Sequence, residues 1–167
     1  MRIYEADKGL AMTASQAKTF LEESKSNLLL GTVDKDGDPN IHAVWYYFDA
    51  KQARFYFITA KGSRKAKSLR RRASVYFSVD DDDRSELRGV RGKGRARIIT
   101  DKKTAMSMAL NVLLRYLKPR NSLTLEYAEE VRRGNSLVVE ITPAYFTTWD
   151  SRNQTAETIA KQKAAAI

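Results

Sequence analysis

Cysteine is absent from this chain of 167 residues, which removes disulfides, thiolate metal sites and thiol nucleophiles at once. Histidine occurs once, as His42, so no metal centre can be assembled from several imidazoles of one chain. No apolar run approaches the roughly 20 residues that a membrane-crossing helix needs, and the opening MRIYEADKGL lacks the apolar core of a secretory signal. The expectation is a cytoplasmic protein with no metal. Proline is scarce, and each of the 3 prolines marks a break: Pro39 in a turn, Pro119 at the stop of a helix, Pro143 between strands.

What is abundant is positive charge. A formal net charge of +10 raises the expectation of a phosphate-bearing partner, because summed charge both steers and holds anions. The excess peaks between Phe55 and Phe77, where Lys61, Arg64, Lys65, Lys67, Arg70, Arg71 and Arg72 crowd between two aromatic, strand-like runs. Within it, Gly62 permits a turn, and Ser63, Arg64 and Lys65 open a short helix. The unsatisfied N–H groups and positive dipole end of that helix favour an anion.

The remaining pattern places this segment in a β-rich frame. Thr13 and Gln16 have capping-box spacing before a helix over about 14–24. Strands are predicted at 27–33, 40–49, 54–59 and 74–79, with Asp34–Pro39 and Asp49–Gln52 as hairpin turns and Asp80–Asp83 as a solvated acidic turn. From Leu87 to Thr100, Val90, Gly92, Gly94, Ala96 and Ile98 alternate with Arg91, Lys93, Arg95 and Arg97. That pattern predicts a long bent strand with a basic outer face. A helix after Asp101 and a shorter one from Leu123 to Arg133 precede two final strands, at 136–141 and 145–149. About six antiparallel strands with short flanking helices predict an α+β, mainly β, barrel. The expected layout is one domain with its core at 14–150 and a tail at 151–167.

Thr59-x-x-Gly62-Ser63-Arg64-Lys65-Ala66, flanked by strands and followed by Leu69-Arg70-Arg71, resembles the pyridoxamine 5′-phosphate oxidase-like family of flavin-binding split barrels. So do His42-Ala43-Val44-Trp45-Tyr46, the run from Arg88 to Ala96, and Thr147-Thr148-Trp149-Asp150. The resemblance implies a six-stranded split barrel that binds FMN as a homodimer, with the cofactor between subunits. Carried over by position, Arg64 and Lys65 bind the FMN phosphate with Ser63 and Thr59, and Ile58 lines the same wall. His42, Val44 and Trp45 lie along the flavin ring, Trp149 belongs to the same set, and Arg88 reaches across from the partner chain.

The departures are Gly89, where the phosphate oxidases proper carry a polar amide, and the lack of their His-containing substrate segment after Trp149. Three functions therefore stand side by side: an FMN oxidoreductase on a small molecule, with the deazaflavin F420 as the alternative cofactor, a non-catalytic flavin carrier or sensor, and a nucleic-acid-binding barrel using the basic strand face. No residue is assigned as catalytic, since hydride chemistry belongs to the flavin.

Overall fold

The computed structural model describes residues 1–6, 9–81 and 88–152. In chain order the elements are β1 (Ile3–Glu5), α1 (Ala14–Glu23), β2 (Leu28–Val33), β3 (Pro39–Val44), β4 (Tyr47–Asp49), β5 (Arg54–Ala60), α2 (Arg64–Arg71), β6 (Ser74–Asp80), β7 (Arg88–Ile98), α3 (Lys102–Tyr116), α4 (Ser122–Arg133) and β8 (Ser136–Asp150). Of the expected acidic turn, Asp82 and Asp83 lie outside the described residues, as does the tail beyond Arg152.

All strands join one 8-stranded sheet in the order β3-β2-β6-β7-β8-β5-β4, with β1 added in parallel to the second half of β8. The two ends of that order, β3 and β4, are separated in sequence only by Trp45 and Tyr46. A sheet whose opposite edges are so tethered must curl until they approach. The result is the expected split barrel, with β1 and a separate β4 added to the six strands foreseen. Helix α2 packs on both β2 and β5 and so lies across the split, while α3 rests on β4, β5 and β8.

Two boundaries differ from the sequence reading. The run NIHAVWYYFD, read as one strand, breaks at Trp45–Tyr46, and its two parts, β3 and β4, stand at opposite edges. The cause is visible in Tyr46, whose fully buried side chain donates its hydroxyl to the Leu21 carbonyl at 2.9 Å and turns the chain inward. The two final strands are one 15-residue strand, β8. Opposite β7, Gly94 pairs with Pro143 and Lys93 with Tyr145, which leaves Ala144 as a bulge beside a proline with no N–H to give the ladder.

The barrel interior is a cluster of rings. Phe55 lies 4.9 Å from both Phe48 and Phe77, and Phe146 lies 5.7 Å from Phe77. Along β7 the alternation read from sequence holds: Val90, Gly92, Gly94 and Ala96 are buried and the four cations between and after them are exposed. Gly92 is where the rings require a bare backbone. A Cβ there would stand 2.3 Å from the Tyr145 carbonyl oxygen and 2.8 Å from Phe77 Cζ. Since one contact is with backbone, Gly92→Ala forces the sheet itself to shift, and we expect a loss of about 1–3 kcal/mol. Urea denaturation measures it; an unchanged midpoint would show that β7 yields cheaply.

Candidate functional site

The basic segment folds as strand, turn and helix. Ser63 is the N-cap of α2: its Oγ accepts the Ala66 N–H at 3.2 Å and shares a 2.9 Å hydrogen bond with Thr59 Oγ1. Thr59, buried on β5, makes no other side-chain hydrogen bond among the described residues and can donate to Ser63, which frees the Ser63 hydroxyl proton for a ligand. The first turn of α2 contains no acidic residue. Arg64 and Lys65, adjacent in sequence, are turned by the helix into different cavities.

Lys65 enters a groove of about 330 Å³ walled by Ala43, Val44 and Trp45 of the β3 end, Ile58 of β5, and Val112, Leu113 and Tyr127 of the helices. Burial holds its ammonium below the ordinary lysine value. Among the described residues no carboxylate pairs with it. Arg64 instead lines a separate hollow of about 410 Å³ with His42, Asn40, Lys67 and Arg71, faced by Asp34 and Asp36 of the β2–β3 turn. His42 bonds Thr32 Oγ1 through Nε2 at 3.1 Å. Its imidazole is held below 6.5, first by burial and then by the charge of Lys65.

The groove's aromatic wall is braced from behind. Trp45 stacks on Tyr116 with ring centroids 5.0 Å apart and planes 10° apart. The residue before Tyr116 is Arg115, whose guanidinium lies 4.7 Å from the centre of the Tyr46 ring. It donates to the carbonyls of Leu21, Glu22 and Ser24 at the end of α1. A cation at the negative end of a helix is favourably placed, and here it also joins α3 to the Trp45–Tyr46 step.

One chain therefore brings Val44, Trp45, Ile58 and Lys65 to one groove, with Thr59 and Ser63 behind Lys65, and places His42 and Arg64 next door. Arg88 and Trp149 are not with them. Thr59 pairs with Leu137 at the start of β8, whereas Trp149 stands near its end, about 40 Å away along the strand. Trp149 packs over Gly89, where a Cβ would come within 2.3 Å of the indole, so the glycine at the position of the family's amide is needed by this ring. Arg88 is ion-paired with Asp81 and lies over the Phe20 ring. Sequence reasoning missed the helical wall, Val112, Leu113 and Tyr127, because nothing local shows which strand a helix covers. Arg64, Lys67 and Arg71, spaced along one face of α2, are all exposed where they line their hollow.

The family model for pyridoxamine 5′-phosphate oxidase matches residues 13–150. The chain belongs to the pyridoxamine 5′-phosphate oxidase-like family. Among solved structures, a conserved hypothetical protein from Mycobacterium tuberculosis is 25% identical, covers 89% of this chain and 91% of its own, and superposes with a TM-score of 0.75. The haem storage protein HutZ of Vibrio cholerae is 12% identical over 84% of this chain and 96% of its own, with a TM-score of 0.65. An F420 reductase is 22% identical over 76% and 93%, with a TM-score of 0.55. The last two show a shared fold. Among curated proteins none matches this sequence.

The environment of His42 has a consequence for stability. The folded chain binds the imidazole proton less readily than the unfolded chain, so protonation favours unfolding. The stability of the wild type relative to His42→Gln should be greatest above 6.5 and erode as pH falls through that value. Denaturation midpoints of both proteins between about pH 8 and about pH 5 test this, and parallel profiles would refute it.

Proposed function

We propose that this chain is a flavin-dependent oxidoreductase that holds FMN by its phosphate at the start of α2 and presents the groove beside Trp45 to the flavin ring. The observation that carries the reading is Lys65, a half-buried cation without a carboxylate partner among the described residues, on the wall of a groove otherwise lined by aromatic and aliphatic side chains and by Asn27. An isolated buried charge is costly, and a phosphate offsets that cost with charge-assisted hydrogen bonds about twice as strong as neutral ones. The Ser63 hydroxyl and the free N–H groups of the first turn add donors aimed at the same anion. Arg64, beside Lys65 in the first turn of α2, contributes charge from the hollow side.

The residues present fit the group. Val44, Trp45 and Ile58 supply a flat apolar wall that excludes water, and the bracing of Trp45 by Tyr116 keeps that wall in place when the site is empty or full. When bound, a flavin supplies hydride acceptance and donation at its own ring nitrogen, so the protein needs no acid or base of its own for that step. The deazaflavin F420 presents the same phosphate chemistry, and the fold is shared with an F420 reductase.

Members of the family are typically dimeric, and the position of Arg88 and Trp149 supports a site completed by a second copy of the chain. In this reading Arg88 and Trp149, at the far end of β8 from Thr59, serve the site of the partner subunit. The substrate in this reading is a small molecule that docks on the exposed side of the groove. The nucleic-acid alternative is less well supported. Three of the four cations on the outer face of β7 have partners inside the chain: Arg97 bonds Glu140 at 3.0 Å, Arg91 lies 5.7 Å from the Trp149 ring and Lys93 lies 5.9 Å from the Tyr76 ring.

Titration with FMN and with F420, followed by absorption and flavin fluorescence, tests the proposal. Arg64→Ala with Lys65→Ala should weaken the better ligand at least tenfold, about 1.4 kcal/mol, with the fold unchanged by circular dichroism. A superimposable titration curve for the double variant would remove the site assignment. Reduction of the bound cofactor by a nicotinamide donor separates an enzyme from a carrier.

A further inference from the structure

A second cavity, of about 650 Å³, lies between the start of α3, the end of α4 and the adjoining ends of β7 and β8, and shares no lining residue with the groove. Its floor is apolar, made by Ile99, Met106, Val131, Leu137 and Val138. Its rim is cationic: Lys61 after β5, Lys102 and Lys103 on α3, and Arg132 and Arg133 on α4.

The rim cations fall into two sets. Arg132 and Arg133 both bond Glu129, at 2.6 and 2.7 Å, and hold its carboxyl down to about 2. They also sit at the C-terminal end of α4, where the helix dipole favours positive charge. Local structure accounts for them. Lys61, Lys102 and Lys103 have no such account. Among the described residues none is paired with a carboxylate, and the nearest acid in sequence, Asp101, is committed to the Thr104 N–H at 2.8 Å as the cap of α3. Lys102 and Lys103 also occupy the first turn of their helix, the end at which a cation is disfavoured.

We propose that this cleft binds a fatty-acid-like anion, an unbranched acyl chain with a terminal carboxylate. The chain lies on the floor, and the carboxylate is held by Lys61, Lys102 and Lys103. A hydrophilic polyanion would leave the floor uncovered, and a neutral lipid would leave the three ammonium groups unanswered; an amphiphile with one charged end satisfies both. The volume falls within the roughly 300–1,000 Å³ of small-molecule sites. The proposal does not depend on flavin binding.

Calorimetric titration of the full chain with decanoate tests it, with acetate and decanol as the charge without the chain and the chain without the charge. Decanoate should bind at least about tenfold more tightly than either. Lys61→Gln with Lys102→Gln and Lys103→Gln, all exposed positions, should weaken decanoate at least about tenfold at an unchanged melting temperature. In amide spectra the shifts should concentrate at Ile99, Leu137 and Val138. Acetate binding equal to decanoate, undiminished binding by the triple variant, or shifts confined to Ala43 and Trp45 would each overturn the site.

Discussion

The step from β3 to β4 through Trp45 and Tyr46 is the constraint on which the rest of the molecule depends. It joins the two outermost strands of the sheet order, so the sheet has no freedom to lie open. Closure leaves a split, α2 lies across it, and Lys65 at the start of α2 comes to line the groove beside Trp45. Tyr46 secures the step by burial and by its bond to the end of α1, and Arg115 secures it again from α3. The same step carries Trp45, so the residue that closes the barrel is next to the one that walls the groove.

The distribution of charge follows from this architecture. The outer face of β7 answers part of its basic excess internally. Burial pushes the Glu140 carboxyl up, but hydrogen bonds from Arg97 and Tyr56 and the charge of Arg54 outweigh it, and the group stays ionised between them. Charges so engaged offer little to a ligand. Around the split, Arg64, Lys65, Lys67 and Arg71, together with Lys35, which pairs with Asp36 at 2.8 Å, outnumber Asp34 and Asp36 among the described residues lining the two cavities, so the surplus collects where α2 crosses the barrel opening. Net charge signalled an anion; curvature of the sheet decides where its charges converge.

Much of this was legible in the sequence because it is local. The Thr13–Gln16 capping box, the turn at Gly37 with φ of 96°, the alternation of β7 and the Ser63 cap depend on neighbours within a few residues. What failed to show depends on partners far along the chain. Tyr46 is one aromatic among several in NIHAVWYYFD until Leu21 is known to lie beside it. Val112 and Tyr127 read as ordinary helix positions until α3 and α4 are placed over β5 and β8. The separation of Arg88 and Trp149 from Lys65 is likewise a property of strand order, which no single stretch encodes.

The bulge at Ala144 changes the phase of β8. Before it, Val139 and Ile141 face the interior; after it, Phe146 and Thr148 do, so odd positions give way to even ones. A strand whose parity switches halfway looks like two strands to any reading of alternation, and Pro143, read as a break between strands, stands beside the switch. It also means that the two halves of the strand are in register with the core only as a pair. A chain shortened by Ala144 would alternate without a break, Ile141, Phe146 and Thr148 falling on one face, so the bulge is the device that lets one extra residue enter the strand while Phe146 stays in the core.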